Sequence, residues 1–400
     1  MTSTIQRLLQ KLEDPKRPLL GPTIKWLKLY GLILPRTRKG KMIYLSILTV
    51  MGLFIISEYV DMIIMRNDVN HLLLNFKYSM LSSVNVIKVI TMYAWHKHWM
   101  GIFKFTTRVD IERRNSPDPI YRETVRKYTK YCRIITYIYW FLGYCTVIMI
   151  VVQPAAKYLL SSTYRQNVKD GTEKFLEVVN SWTPFDKTTM SGYLISNIIQ
   201  GVASLYSGGW ITSYDTNAFV LMIFFRGELE LLRRDCRSLF GTEENPVTKE
   251  EAQKRIDHCH QRHNDILKYF RLFDSCLSPI MLLYVIVCSV MLCATTVQLT
   301  TESSAMQKLI TFQYLMFGVS QVFIYCWHSN DVFYVSQDLM LGPYESYWWT
   351  RTLSEQKNLH LLAGQLNKQI VLTAGPFSYI NLATFINILK GAYSYYTLLN

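Results

Sequence analysis

The stretch PFSYINLATFINILKGAYSYYTLLN, from Pro376 to Asn400, decides the fold. It predicts a mostly apolar helix that is long enough to cross the roughly 30 Å hydrocarbon core of a bilayer. One stripe of this helix is small or polar, because its members recur at spacings of three and four. The stripe consists of Asn381, Thr384, Asn387, Gly391, Ser394 and Leu398. Such a stripe either packs tightly on neighbouring helices, which is its commoner use in membranes, or lines water.

Six further apolar stretches precede this helix, so the sequence predicts an all-α membrane protein with seven transmembrane helices. The first six spans fall within residues 42–336, at about 42–65, 72–95, 132–152, from 193 onward, 277–299 and 305–333. Gln153-Pro154 is expected to end the third span, and Gly208-Gly209 to bend the fourth. Residues 1–41 form a basic segment with apolar side chains suited to the headgroup region. Residues 350–372 form an amphipathic anchor helix, and 376–400 the last span. We find no internal repeat and treat 1–400 as one unit.

Charge sets the expected orientation of these spans. The chain carries 43 Lys and Arg against 29 Asp and Glu, a net charge of +14. These basic residues flank apolar segments instead of forming one patch, which favours a membrane surface over nucleic acid. Nineteen of them lie in residues 1–41 and 96–131, whereas the short loops after spans one and five carry one each, Arg66 and Lys308. The positive-inside rule therefore predicts a cytoplasmic N-terminus and an extracellular C-terminus.

No motif in the sequence predicts an enzyme. There is no arrangement typical of nucleophilic catalysis, no HExxH motif and no phosphate-binding loop, so we expect no catalytic residue and no cofactor. His258 and His260 would point about 200° apart on a helix, so that histidine cluster predicts no metal site. Ionisable residues inside spans are functional candidates by default, namely Glu58, Asp61, Lys77, Lys88 and Lys390.

Two motifs near the end of the sequence carry a resemblance. The last helix has the form N-L-x-T-F-x-x-I-L-K-x-x-Y-S-Y-Y-T-L-L, and the residues from Tyr344 to Trp349, YESYWW, precede it. The helix resembles the last segment of insect odorant receptors, and the upstream residues are similar to the Y-E-S-x-W motif of that family. The match covers about the last 60 positions, and the seven-span, inverted topology agrees with it. The related gustatory receptor family shares the architecture, but its usual T-Y-x5-Q-F ending is absent.

The resemblance implies a tetrameric channel whose ion pore is lined by the last helix of each subunit, which reverses the packing interpretation of the polar stripe. Thr384, Asn387, Gly391 and Ser394 would then line the pore, and Leu398 would form the gate by excluding water. Lys390, one position off the stripe, would tune the charge of the pore or pair with an acid on a neighbouring helix. Residues 350–372 would belong to a cytoplasmic anchor.

The resemblance also implies the ligand, the partner and the location. The chain would be the odorant-binding subunit of an odorant-gated, non-selective cation channel that forms with the shared odorant receptor coreceptor in the plasma membrane of olfactory neuron dendrites. Its ligand would be a small volatile lipophilic molecule, and membrane lipid would surround it. The alternatives are a gustatory-type channel subunit or a metabotropic seven-helix receptor. The predicted ligand-binding residues lie in the outer halves of spans two, three, four and six: Phe76, Ser79, Met80, Ser83, Tyr144, Ile148, Asn197, Ser204, Tyr314 and Phe317.

Overall fold

The computed structural model describes residues 12–67, 69–301 and 304–399, and most of them lie in helices. The helices are α1 (Gly21–Leu29), α2 (Arg38–Ile64), α3 (Val69–Ala94), α4 (His96–Arg114), α5 (Pro119–Leu160), α6 (Ser162–Lys169), α7 (Met190–Arg237), α8 (Lys249–Thr301), α9 (Ala305–Gln337), α10 (Leu341–Tyr344), α11 (Leu353–Leu366) and α12 (Leu382–Leu399). Short 3-10 turns at Asp338–Met340 and Trp348–Thr350 flank α10. Strands β1 (Thr373–Ala374) and β2 (Ser378–Tyr379) form an antiparallel hairpin before α12.

The seven predicted spans lie in seven different helices, α2, α3, α5, α7, α8, α9 and α12. The expectation of a helical fold is confirmed, with the short β1–β2 hairpin as an addition. Within the described residues, α2, α5, α8 and α9 are long and apolar enough to cross a membrane, judged by length and composition. Helices α5, α7 and α8 also continue for several turns beyond the apolar stretch from which each span was predicted.

Helix α7 is the centre of the bundle. Every residue from Gly208 to Phe225 is buried, because α5, α9, α3, α8 and α1 pack around this part of α7. A helix that is buried all round needs no polar face, which agrees with the run of aromatic and aliphatic side chains from residue 218 to 225. Helix α7 continues through the glycine pair at Gly208 and Gly209, from Met190 to Arg237.

The extended helix ends meet at one end of the bundle, which we call the charged end. It contains α4, the start of α5 and α8, the end of α7, and α10 and α11. The buried carboxylate of Glu228 lies 3.4 Å from Arg113 of α4 and 2.9 Å from Arg262 of α8. Glu345, from the motif that precedes the last helix, pairs with Arg233 at 2.8 Å and with Arg237. A buried charge left without a partner is strongly destabilising, so the pairs of Glu228 fix how α4, α7 and α8 meet at this end.

The last helix begins later than the sequence predicts. Gly375, with φ of +66°, makes a turn that only glycine adopts readily, and the β1–β2 hairpin occupies residues 373–379. Asn381 then caps the helix, because its side-chain oxygen accepts a hydrogen bond from the backbone N–H of Thr384 at 2.8 Å. The helix therefore starts at Leu382 instead of near Pro376. The predicted anchor helix is likewise shorter, covering Leu353–Leu366 of 350–372.

Two local expectations were wrong. Pro154 does not end the third span, since α5 continues through it to Leu160. The N-terminal segment does not lie only at the surface: Leu20, Leu27 and Leu32 are almost completely buried. Helix α1 packs on α7, and the carbonyl of Tyr30 accepts hydrogen bonds from Tyr206 and Trp210. Most of the apolar side chains that suggested a membrane surface are instead part of the protein core, whereas Leu29 remains exposed.

Candidate ligand-binding cavity and pore helix

A cavity of about 80 Å³ lies between α3, α5, α7 and α9. The spaces between helices are common places for ligand sites, particularly when a mostly apolar wall carries a few polar groups. The wall of this cavity is mainly aromatic and aliphatic, with hydroxyl and amide groups among them. Its lining residues are Tyr78, Leu81, Ser82, Asn85, Gly143, Thr146, Val147, Ile150, Val179, Ser204, Ser207, Gly208, Ile211, Tyr314 and Phe317.

Two glycines allow α5 and α7 to approach each other beside the cavity. A Cβ atom on Gly143 would lie 2.6 Å from Thr212 and 3.4 Å from the ring of Phe317. A Cβ atom on Gly208 would lie 2.8 Å from Val147. The distances of 2.6 Å and 2.8 Å are shorter than a methyl group tolerates. A larger residue at either glycine would therefore push the two helices apart or fill the cavity.

Leu81, Tyr314 and Phe317 separate this cavity from a smaller void of about 10 Å³. The ring of Tyr314 meets the ring of Tyr78 edge-on at 5.6 Å, and the ammonium group of Lys77 lies 5.2 Å from the Tyr314 ring centre. The smaller void is lined mainly by α8 and α9. Movement of these three side chains would therefore join the two spaces into one.

The loop between α6 and α7 closes one end of the cavity through Val179. The backbone N–H of Val178 donates to the side-chain oxygen of Asn197 at 3.1 Å, and the buried Gln200 contacts Glu177 at 2.5 Å. Lys187 donates to Glu177 at 2.7 Å. Polar side chains of α7 thus hold this loop against the bundle, where it restricts access to the cavity.

Beneath Phe317 lies a buried charged network centred on Asp215 of α7. The Phe317 ring stacks on Tyr139 at 5.5 Å, and the Tyr139 hydroxyl donates to Asp215 at 2.7 Å. Lys88 of α3 pairs with the same carboxylate at 2.6 Å, and both side chains are at most 1% exposed. Further donors come from α9, Gln321 at 2.5 Å and Tyr325 at 2.7 Å. The network therefore links α3, α5, α7 and α9 directly below the cavity.

The structure brings three of the predicted ligand-binding residues together on the cavity wall: Ser204, Tyr314 and Phe317. On α3 the cavity is lined by Tyr78, Leu81, Ser82 and Asn85. The predicted residues of this helix, Phe76, Ser79, Met80 and Ser83, have the same spacing but each lies two positions earlier. Two positions turn a helix by about 200°, so the predicted residues face away from the cavity.

The remaining predicted residues have other neighbours. Tyr144 shares a hydrogen bond of 2.5 Å with Tyr30, Ile148 is 50% exposed on the outer surface, and Asn197 holds the loop. On α3 the displaced residues lie at the α2 side: Met80 and Ser83 contact the hydroxyl of Tyr59, Ser79 is fully buried and Phe76 is half-buried.

The two faces of α12 differ. Ile388 and Ala392 are buried, and Phe385 and Leu389 also pack against the core formed with α8 and α9. The predicted pore residues with described exposure lie toward the other side. Asn387, Lys390 and Ser394 are exposed, Thr384 and Gly391 are half-buried, and a Cβ on Gly391 would have no neighbour within 4 Å. Leu398 belongs to the last turn of α12, and its side chain lies outside the described part of the chain.

Asp215 is the residue of this region that sequence reasoning missed. The signal was present, since it is an ionisable residue within a predicted span, as Lys88 is. Their pairing could not be found from spacing, because 127 positions separate them. Neither could Tyr139, Gln321 and Tyr325 be recognised as partners, since each looks like an ordinary member of a membrane helix.

Comparison with known proteins places the chain among receptors. The family described as 7tm Odorant receptor matches residues 68–393. The chain is similar to Odorant receptor 30a of Drosophila melanogaster, with 19% identity over 393 residues that cover 98% of each chain. It is also similar to the odorant receptor coreceptor of Anopheles gambiae, with 21% identity over 178 residues, which cover 44% of this chain and 37% of that one.

The fold resembles that of a solved receptor. The insect olfactory receptor OR5 from Machilis hrabei superposes with a TM-score of 0.80, covering 94% of this chain and 97% of that one at 16% identity. The structure of the same receptor in complex with eugenol gives a TM-score of 0.80 over 96% of this chain and 99% of that one, at 17% identity. At these identities the likeness establishes the arrangement of the helices.

Proposed function

Because the chain belongs to the 7tm odorant receptor family, we propose that it is the odorant-binding subunit of an odorant-gated, non-selective cation channel. The prediction of an odorant receptor, made from two motifs at the end of the sequence, is confirmed by the family match and by the relatives. In this proposal the chain resides in the plasma membrane of an olfactory neuron dendrite, where four subunits, including the odorant receptor coreceptor, surround one pore.

The observation that carries the proposal is the division of α12 into two faces. One face packs on α8 and α9 of the same chain, while Asn387, Lys390 and Ser394 remain exposed on a predicted membrane helix. Exposed amide, hydroxyl and ammonium groups are unfavourable against lipid tails, since such groups in spans face a bundle interior or water. A water-filled pore between several α12 helices satisfies them. Leu398 forms the gate near the outer end of that pore.

The position of the charged end supports the predicted orientation. Arg133 pairs with Glu13 at 2.7 Å, and Asp110 accepts a hydrogen bond from the backbone N–H of Leu19, so the N-terminal segment lies beside α4 and α5 there. We propose that this end is cytoplasmic, in agreement with the basic residues of 1–41 and 96–131. An epitope tag at residue 1 should then be detected only after permeabilisation, whereas a metabotropic receptor with an outside N-terminus would stain without it.

The decisive test is whole-cell current during an odorant panel, with the chain expressed alone and then with the coreceptor. Rapid current that persists when G proteins are blocked, and appears only in the pair, supports the proposal. Current from the chain alone would make it a homomeric channel. Silence in both cases would overturn the proposal, provided that the protein is at the surface and that the coreceptor responds with another receptor.

The gate gives a separate expectation. Shortening Leu398 to Ala should produce leak current without odorant, because a ring of smaller side chains excludes water less well. Basal current should rise at least twofold over the wild type at equal surface expression. Thr397→Ala is the control, since this exposed neighbour points in another direction from the helix axis. Equal leak in both variants would contradict a gate at Leu398.

A further inference from the structure

The walls of the cavity and of the adjoining void carry no charged side chain among the residues that the structure describes there. A charged ligand would lose its hydration on entering and find no opposite charge in contact, which costs many kcal/mol. Lys77 lies near the Tyr78 and Tyr314 rings, but its ammonium group donates to Gln298 at 2.5 Å. The cavity therefore selects an uncharged molecule.

Two buried polar atoms on the same wall lack a hydrogen-bond partner within the described part of the chain. They are the side-chain oxygen of Asn85 and the hydroxyl of Tyr314. Asn85 is 2% exposed and Tyr314 is 6% exposed, so bulk water does not satisfy them. In the structure the Asn85 amide nitrogen donates to the Ser207 hydroxyl at 3.0 Å, and the amide oxygen is the atom left free. Both atoms are covered by neighbouring groups, and because leaving them unsatisfied is unfavourable, we expect Asn85 and Tyr314 to turn toward an occupant that bonds to them.

The chemistry of the two atoms specifies the occupant. An amide oxygen only accepts hydrogen bonds, whereas a tyrosine hydroxyl donates or accepts. A ligand hydroxyl can donate to Asn85 and accept from Tyr314, but a carbonyl or ether oxygen cannot donate. We propose that the cavity is a site for a small uncharged alcohol, recognised through Asn85 and Tyr314. This inference rests on the proposed function, since it names the class of ligand for the receptor's own cavity.

The size of the cavity limits the rest of the molecule. Its volume of about 80 Å³ is roughly half that of the ~150 Å³ protein cavity known to hold benzene. A ligand of about five non-hydrogen atoms fits this space, and displacement of the Tyr314–Phe317 partition would add the neighbouring void. The apolar part of the ligand would contact Leu81, Ile150 and Ile211.

Three probes of nearly equal size separate the possible forms of recognition. Butan-1-ol has a hydroxyl, its isomer methyl propyl ether accepts but cannot donate, and pentane does neither. An apolar cavity without polar recognition would favour pentane, because burying a hydroxyl without a bond is unfavourable. Dissociation constants are measured by ligand-observed NMR titration of the purified full chain, independently of any channel current. We expect butan-1-ol to bind about tenfold more tightly than the ether, which corresponds to about 1.4 kcal/mol.

Variants assign the preference to the two residues. Asn85→Leu should remove the acceptor. The ratio of the affinity for butan-1-ol to the affinity for the ether should then fall to about two or less. Tyr314→Phe keeps the ring and should weaken alcohol binding severalfold, which provides a second test if the first variant folds poorly. Tyr59→Phe is the matched control, because its hydroxyl contacts Ser83 outside the cavity, and it should leave the ratio unchanged.

Equal affinities for the alcohol and the ether, tighter binding of pentane, or no binding of any probe would overturn the inference. So would a preference that persists unchanged in both Asn85→Leu and Tyr314→Phe. These results differ from failure of the proposed function, which is measured as current. If the chain prefers the alcohol but carries no current with the coreceptor, the alcohol site is supported and the channel function is contradicted. If it carries current but does not prefer the alcohol, the channel function is supported and the alcohol site is contradicted.

Discussion

At the scale of single residues, the buried carboxylate of Asp215 accepts hydrogen bonds from four side chains. Lys88→Met would remove its counter-charge while keeping similar side-chain length, leaving a buried carboxylate with neutral donors only. Breaking a buried ion pair from one side is strongly destabilising, by about 3–5 kcal/mol. We expect a lower apparent melting temperature in detergent and reduced surface expression. Adding Asp215→Asn to Lys88→Met should recover much of the loss, since no buried charge then remains.

The matched control for this variant is Lys127→Met. Lys127 pairs with Glu123 at 2.8 Å, but its side chain is 75% exposed and that of Glu123 is 63% exposed. Exposed pairs of this kind contribute little because water and salt screen them. The control should therefore melt like the wild type. Equal stability of Lys88→Met and Lys127→Met would contradict the argument that the buried pair holds α3 and α7 together.

The residues predicted from the sequence and the residues that line the cavity differ mainly in the rotation of α3. Helix α3 has polar and aromatic residues on several sides, so its sequence does not indicate which side faces the cavity. Apolar side chains are equally compatible with lipid, with a pocket and with a neighbouring helix. The predicted positions Phe76, Met80 and Ser83 have the spacing of the cavity-lining positions but lie on the opposite side of α3, whereas Tyr314 and Phe317 of α9 line the cavity. Contacts over long sequence separations decide such rotations, and a single sequence does not contain them.

At the scale of structural elements, the buried amide of Gln200 makes several of the contacts that hold the loop between α6 and α7. Gln200 contacts Glu177 at 2.5 Å, Ser181 at 3.0 Å and Ser196 at 2.9 Å. In Gln200→Leu these bonds are lost, and we expect amide hydrogens in residues 176–181 to exchange about tenfold faster, corresponding to about 1.4 kcal/mol less protection. The measurement is hydrogen–deuterium exchange of the purified chain followed by mass spectrometry.

The control for the loop is Lys157→Gln. Lys157 pairs with Glu173 at 2.9 Å in the same region, but both side chains are more than one third exposed to solvent, at 34% and 39%. Loss of this pair should leave exchange in residues 176–181 unchanged. A similar acceleration in both variants would show that the loop opens as a whole, without a specific role for Gln200.

The start of α8 carries a buried histidine outside the predicted spans. Burial is the main cause that lowers the pKa of His263 from 6.5 to about 4, with further contributions from Lys368, His260 and Arg271. The unfolded chain therefore binds more protons than the folded chain between pH 6.5 and 4, so stability falls as the pH decreases through this window. From pH 7 to pH 5 the loss amounts to about 2 kcal/mol by this linkage.

This acid sensitivity should be reduced in His263→Gln. The measurement compares the decrease in apparent melting temperature from pH 7 to pH 5 in the variant and in the wild type. His258 acts in the opposite direction, because contact with Cys259 raises its pKa, so some pH dependence should remain. His98→Gln, at an exposed position, is the control and should keep the full decrease. An unchanged decrease in His263→Gln would assign the acid sensitivity to other groups.

At the scale of the whole molecule, the sequence predicted a helical fold and the order of the helices that contain the proposed spans, because hydropathy and charge act over whole segments. It did not predict the burial of α1 or the hairpin before α12. Both depend on packing partners far along the chain, such as Trp210 for the carbonyl of Tyr30 and Ser278 for the backbone N–H of Gly375. The motif containing Glu345 predicted the family, and its contacts with Arg233 and Arg237 give a physical reason for an acid at that position.

The assembly gives the last prediction, which concerns Lys390 on the exposed face of α12. If that face lines a cation pore, an ammonium group there repels the permeant ions. Lys390→Glu changes the local charge by two units in each copy of this chain. For a permeant cation about 8 Å from the side chain in a water-filled pore, this change lowers the interaction energy by about 1 kcal/mol. Single-channel conductance for sodium, recorded with the coreceptor, should rise about twofold or more.

The control is Lys308→Glu, which makes the same change of net charge at an exposed position away from α12. An equal rise in both variants would assign the effect to general surface charge, and no rise in Lys390→Glu would place α12 outside the conduction path.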